Sequence, residues 1–161
     1  MPKQPQERIV TYVGTISRGV ARGRELIERF SDRLTGILGF RPFPGTLDVR
    51  LEQPIDFELY EVKRLEHVLM EGSLWIDARL APVKLRVNGE TIDAWAIKEE
   101  KGLVEEDMLE ILAPYSIKEK FGVKEGDIID VEMVERPLPR TKAIRKSLKQ
   151  IFFPKIKRSI K

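Results

Sequence analysis

Apolar and polar residues change period several times along this chain. Ile9, Val10, Tyr12, Val13 and Ile16 predict a strand over Ile9–Ser17, with Gly14 marking a bulge or a close backbone approach. Leu26, Ile27, Phe30, Leu34, Ile37 and Leu38 recur at helical spacing, so Glu25–Leu38 predicts an amphipathic helix that Gly39 ends. A strand follows over Thr46–Leu51. Residues Glu52–Gly72 fit neither period and read as a strand or loop, then a short helix. Leu74–Leu80 reads as a strand. Val83, Leu85 and Val87 then alternate with Lys84 and Arg86, and Asn88-Gly89 turns the chain into Thr91–Ile97, a hairpin with a type I′ turn. Met108–Leu112 is a short apolar strand. Ser116 and Glu119 form a capping box for a short helix ending at Gly122, and Ile128–Val134 is the last strand of the body. Many short strands, one hairpin and one or two peripheral helices fit a mainly β fold, a small barrel rather than a βαβ fold.

Beyond Pro137 and Pro139 the pattern changes again. Ile144, Leu148, Ile151 and Phe152 stand at i, i+4, i+7 and i+8, with Lys142, Arg145, Lys146 and Lys149 on the other faces. This predicts a basic amphipathic C-terminal helix, so the chain divides into a body, 1–135, and a tail, 136–161. Such a tail could lie on an anionic membrane, pack on its own body, join copies of the chain or fold on a partner.

Charge sharpens that division. The 161 residues carry a net +3, but ten of the 29 basic residues and no acidic one fall in 136–161. The body keeps 19 basic against 26 acidic residues, a net −7. An acidic body argues against nucleic acid as a partner. No cysteine is present, which excludes disulfides, thiolate metal sites and a Cys nucleophile and fits a cytoplasmic protein. No apolar run is long enough to span a bilayer. The single histidine, His67, reads as a surface or packing residue and leaves little room for a His-based triad.

Three stretches carry candidate chemistry. In Leu38–Leu51, prolines 42 and 44 hold the chain extended and Gly45 lets it turn. Thr46 and Asp48 then point to one face of a strand. Hydroxyl and carboxylate side by side suit a hard cation or a phosphate, or else only satisfy the turn's own donors. The loop Arg18–Arg24 offers two glycines and three arginines ahead of a helix, either a phosphate grip or a solvated basic turn. It lacks the Gly-Lys-Ser/Thr of a P-loop. Glu110 interrupts an apolar strand and points to solvent or accepts a hydroxyl proton in a pocket. The amides near Tyr115 and Ser116 would suit an anion.

In this order, the glycine loop, Leu38-Gly39-Phe40, Pro44-Gly45-Thr46-Leu47-Asp48, Leu109-Glu110-Ile111-Leu112-Ala113-Pro114 and Gly122 through Gly126-Asp127 resemble the archaeal CTP-dependent riboflavin kinase family over about residues 9–134. The resemblance implies a compact six-stranded Greek-key, cradle-loop-like β-barrel. It also implies transfer of the γ-phosphoryl of CTP to the ribityl hydroxyl of riboflavin, giving FMN and CDP. It puts nucleotide binding on Gly19, Val20, Ala21, Arg22, Gly23 and Arg24 and on Tyr115, Ser116, Ile117 and Lys118. It puts Mg²⁺ on Thr46 and Asp48, and the acceptor on Glu110, as orienter or base, and Gly102. The chain departs from the family pattern in five places. Ala21 replaces a glycine and Arg22 an acid. Asp48 replaces an asparagine, Gly102 a threonine, and Ile117-Lys118 a Leu-Arg pair. Two other functions stay open on these residues: the same kinase chemistry on another alcohol, such as a membrane lipid, and a non-catalytic binding module with a degenerate site.

Overall fold

The structure is a computed structural model that describes residues 7–19, 22–60, 62–70, 74–99 and 107–136. The elements run β1 (Arg8–Ser17), α1 (Arg22–Leu38), β2 (Leu47–Leu51), a 3₁₀ turn (Phe57–Leu59), β3 (Lys63–Met70), β4 (Leu74–Val87), β5 (Glu90–Glu99), β6 (Met108–Leu112), α2 (Ile117–Phe121) and β7 (Ile128–Glu135). The strands order as β3-β4-β5-β6-β2-β1-β7, every pairing antiparallel. β7 also pairs back onto β4 through Lys84–Arg86, which closes six strands into a barrel and leaves β3 outside the closure, alongside the first half of β4. The expected six-stranded barrel is therefore present, with one strand added to it.

β4 makes this possible because it changes partner midway. Its register with β3 runs to Leu80 and its register with β7 starts at Lys84. Pro82, which has no N–H to give, falls in the gap between the two. The predicted hairpin is also there: Asn88 and Gly89 both have positive φ, 48° and 79°, as a type I′ turn requires.

One expectation is reversed. Over residues 52–72 the helical turn comes first and the strand second. Asp56 caps the turn by accepting the Glu58 N–H at 3.2 Å. β3 has a register shift between Leu65 and Val68, so its apolar residues do not alternate cleanly. His67 lies within that irregularity. Val20, Ala21, Gly102 and the tail from 137 onward lie outside the described residues.

Strand alternation divides the apolar residues into two layers. Tyr12, Ile16, Leu47, Val49, Leu51, Val83, Leu85, Val87, Leu109, Ile111 and Val131 fill the barrel, and Ile117, which opens α2, and Val123, just after it, join them. The second layer lies on the barrel's outside. There Leu26, Ile27, Leu34 and Leu38 of α1 meet Leu65, Ala78, Leu80, Ile97 and Leu112. Burying each such side chain contributes roughly 1.5–3 kcal/mol, so α1 is held firmly on the outer face. Gly39, at φ 80°, ends it. No described helix is long and apolar enough to cross a membrane.

Candidate active site

The site follows from the alternation in β2. Leu47, Val49 and Leu51 point into the barrel, so Asp48 points out. In register beside it stand Ser17 of β1 and Glu110 of β6, and Ile97 of β5 stands next to Glu110. Ser17, Asp48, Glu110 and Ile97 therefore make one row across four strands on the outer face. Side chains directly opposite in such a row have Cβ atoms roughly 4.5–5.5 Å apart.

An outward residue on a barrel is normally wet, yet Asp48 is only 8 % exposed, the one charged side chain among the described residues that is buried. What covers it is the chain entering α1. A Cβ built on Gly19 would lie 1.4 Å from Asp48 Oδ2, and one built on Gly23 would lie 2.5 Å from Thr46 Oγ1. No residue with a side chain fits at either position without displacing the pair. Gly19 of the loop, and Gly23, which lies in the first turn of α1 rather than in the predicted loop, are thus accounted for by contact with the two candidate metal ligands.

Thr46 Oγ1 donates to Asp48 Oδ1 at 3.3 Å. Burial pushes the Asp48 carboxyl above its usual range, opposed by that hydrogen bond and by the positive charge of Lys118. A divalent cation would supply the missing countercharge. Among the described residues no three acidic or imidazole side chains gather into a metal cluster. The hydroxyl and carboxylate oxygens of Thr46 and Asp48, side by side, are of the kind that Mg²⁺ takes, one or two from protein with phosphate oxygens and water completing its shell.

The turn before β2 is tied to the segment after β6. The Phe43 N–H bonds Ala113 O at 2.8 Å and the Gly45 N–H bonds Phe43 O at 2.7 Å. This sets Thr46 and Asp48 near the start of α2. Ser116 caps α2 by accepting the Glu119 N–H at 3.3 Å. Lys118 is exposed there, and Lys120 Nζ lies 3.9 Å above the Tyr115 ring. Ile117 packs in the barrel core, which leaves only its backbone for a ligand. Arg24 is exposed and pairs with Glu28 at 3.4 Å, and Arg22 opens α1.

The geometry adds residues that composition did not single out. Ser17 shares the row of Asp48; its signal was the outward position next to the apolar Ile16. Arg50, two residues beyond Asp48 on the same face, binds both carboxylate oxygens of Asp107 at 3.2 and 3.0 Å. Lys98 Nζ donates to Met108 O at 3.0 Å. Both contacts fasten the chain where it enters β6 just ahead of Glu110.

Comparison with known proteins gives the family. Residues 16–133 match the family profile of the CTP-dependent riboflavin kinase domain, described as domain of unknown function DUF120. The chain is similar to a riboflavin kinase of Archaeoglobus fulgidus, 29 % identical over 136 residues, covering 80 % of this chain and 56 % of that protein. It is similar to those of Methanospirillum hungatei, 26 % identical over 80 % of this chain and 59 % of the relative, and Pyrobaculum arsenaticum, 28 % over 78 % and 61 %. The chain thus spans little more than half the length of these relatives. With the profile covering both candidate metal ligands, both glycines and Glu110, the chain belongs to the CTP-dependent riboflavin kinase domain family.

Proposed function

We propose that this chain transfers the γ-phosphoryl group of CTP to the ribityl 5′-hydroxyl of riboflavin, giving CDP and FMN, a cytoplasmic reaction of two dissolved substrates. The observation that carries the reading is the in-register pair Asp48 and Glu110, with Gly19 and Gly23 closed over Asp48 and Thr46. Family membership and the riboflavin kinase names of the relatives support the choice of substrates.

Phosphoryl transfer asks the protein mainly for position and countercharge. Thr46 Oγ1 and the Asp48 carboxylate would hold Mg²⁺, which when bound spreads the negative charge of the phosphate oxygens. The backbone at Gly19 and Gly23, seated on Asp48 and Thr46, would offer N–H groups to the phosphate chain, and Arg24 and Lys118 supply positive charge beside it. Glu110 stands one strand across, on the acceptor side. Its carboxylate orients the ribityl hydroxyl and takes its proton as the oxygen attacks the γ-phosphorus. The bond from that phosphorus to the bridging oxygen then breaks, and CDP leaves. Val20 and the altered Ala21 and Arg22 stay with the nucleotide in this reading, and Gly102 with the acceptor.

A non-catalytic module would have no use for a buried carboxylate, which is costly without a countercharge. A lipid acceptor draws no support from the relatives, whose names specify riboflavin. The test is incubation with riboflavin, Mg²⁺ and each of CTP, ATP, GTP and UTP, with products separated by chromatography. FMN and CDP in equal amounts, formed best with CTP, are expected. Absence of FMN with every nucleotide would overturn the assignment.

A further inference from the structure

The outer face of β1 is uncovered from Ile9 to Thr15. Its outward positions are Ile9, Thr11, Val13 and Thr15, all exposed and none charged. Ile9 is 64 % exposed and Val13 37 %. On the neighbouring β7, Val134 stands opposite Ile9 and Ile128 opposite Thr15, both exposed. Charged residues flank this stripe, Arg50 of β2 opposite Thr15 and several acids. Glu132 is in register with Thr11 and Asp130 with Val13 on one side. On the other side exposed Glu52 is tied to the stripe by its N–H bond to Val13 O at 3.0 Å.

We infer that residues 142–153 of this same chain dock along β1, with Ile144, Leu148, Ile151 and Phe152 on the stripe and the basic residues toward the flanking acids. Three observations single out this occupant. The first is where the chain goes: β7 ends at Glu135, one residue past Val134, so the chain leaves the barrel at the Ile9 end of the stripe. The five residues 137–141 reach up to ~17 Å when extended, enough to turn back onto the adjacent strand. The second is length: Ile9–Thr15 spans ~20 Å of strand, and twelve residues of helix span ~18 Å. The third is charge: Lys142, Arg145, Lys146 and Lys149 border the apolar positions of the segment, as Glu52, Asp130 and Glu132 border the stripe. Lys84 and Arg86 of β4 lie in register with Glu132 and Asp130, and exposed Arg50 of β2 with Thr15, so basic residues of the body already stand near these acids. Apolar burial therefore carries most of the contact, and charge sets its orientation.

The chain has no cysteine, so a single one can carry a spin label in the full-length protein. Gln150→Cys places the label on the polar side of the segment. In isotope-enriched labelled chain, the amide signals of Ile9, Thr11, Val13 and Val134 should lose most of their intensity relative to the reduced label, and those of the β4–β5 hairpin tip should keep theirs. Adding Leu148→Asp, a change outside the barrel, should restore the lost signals. Three results would overturn the inference: unchanged signals at β1; loss appearing only when labelled, unenriched chain is mixed with enriched, unlabelled chain, which means a second copy is the occupant; or loss at β1 that Leu148→Asp does not reverse.

Discussion

Asp48 and Glu110 face each other across β2 and β6, in register, on the outside of a closed barrel. One is buried under the glycine loop and the other is half-buried beside it. The two carboxylates thereby sit in different surroundings, which is what the proposed division of labour requires: Asp48 on the cation and Glu110 on the acceptor.

Glu110→Gln keeps size and polarity and removes the base. Turnover should fall by about 10²–10⁴-fold, the usual worth of a positioned general base, with little change in CTP affinity. Steady-state kinetics with separate titration of CTP and riboflavin checks this. Unchanged turnover would remove Glu110 from the chemistry.

Asp48 governs a stability–function conflict. Its carboxyl is raised by burial, so the folded chain holds a proton there that the unfolded chain releases from about pH 4 upward. In metal-free protein Asp48 therefore adds most to stability below that pH and loses it as pH rises through the folded-state pKa. Asp48→Asn should raise the metal-free melting temperature at neutral pH and flatten this part of its pH dependence. Excess Mg²⁺ with CTP should stabilise the native chain more than the variant. Thermal melts across pH, with and without both ligands, measure all three effects.

Gly23→Ala would normally favour a helix by about 1 kcal/mol. Here its methyl meets Thr46, 2.5 Å from Oγ1, so the variant should be destabilised by about 1–3 kcal/mol and bind Mg²⁺–CTP more weakly. Adding Thr46→Ala should recover stability and leave binding weak. Denaturant melts and calorimetry on both variants separate the two effects.

Far from the site, the Tyr12 and Tyr60 hydroxyls bond to each other, with both rings buried in the barrel core. Burial and that bond push the Tyr60 phenol above its usual range. The folded chain then keeps a proton that the unfolded chain loses near pH 10, so stability should drop as pH rises beyond about 10. Tyr60→Phe strands the Tyr12 hydroxyl and should cost about 1–3 kcal/mol. It should leave kinase kinetics unchanged. Urea melts at neutral and alkaline pH give both numbers.

Periodicity made most of the barrel legible. β1, the Asn88-Gly89 hairpin and the capped α2 stand where their apolar spacing and turn residues put them, because in each the local signal and the tertiary contact agree; α1 starts three residues before its predicted Glu25, so Arg22, Gly23 and Arg24 are helical rather than loop. Residues 52–72 failed for a stated cause: a bulge in β3 broke the two-residue period, and a side-chain cap made a turn too short to show one. The candidate site was half legible. Thr46, Asp48 and Glu110 stood out as polar residues in apolar strands. Their meeting depends on β2 pairing with β6 across more than fifty residues, which no local pattern encodes. The seating of Gly19 on Asp48 and Gly23 on Thr46 likewise appears only once α1 is placed on the barrel.

The most direct measurement is transfer of a radiolabelled γ-phosphate from CTP to riboflavin by the native chain, Asp48→Ala and Glu110→Gln, side by side, with circular dichroism showing that all three are folded. The account requires label in FMN with the native chain, its near-complete loss in Asp48→Ala, and a large loss in Glu110→Gln despite retained CTP binding. Label reaching FMN equally in all three would contradict it, since the phosphate would then be crossing somewhere other than between these two strands.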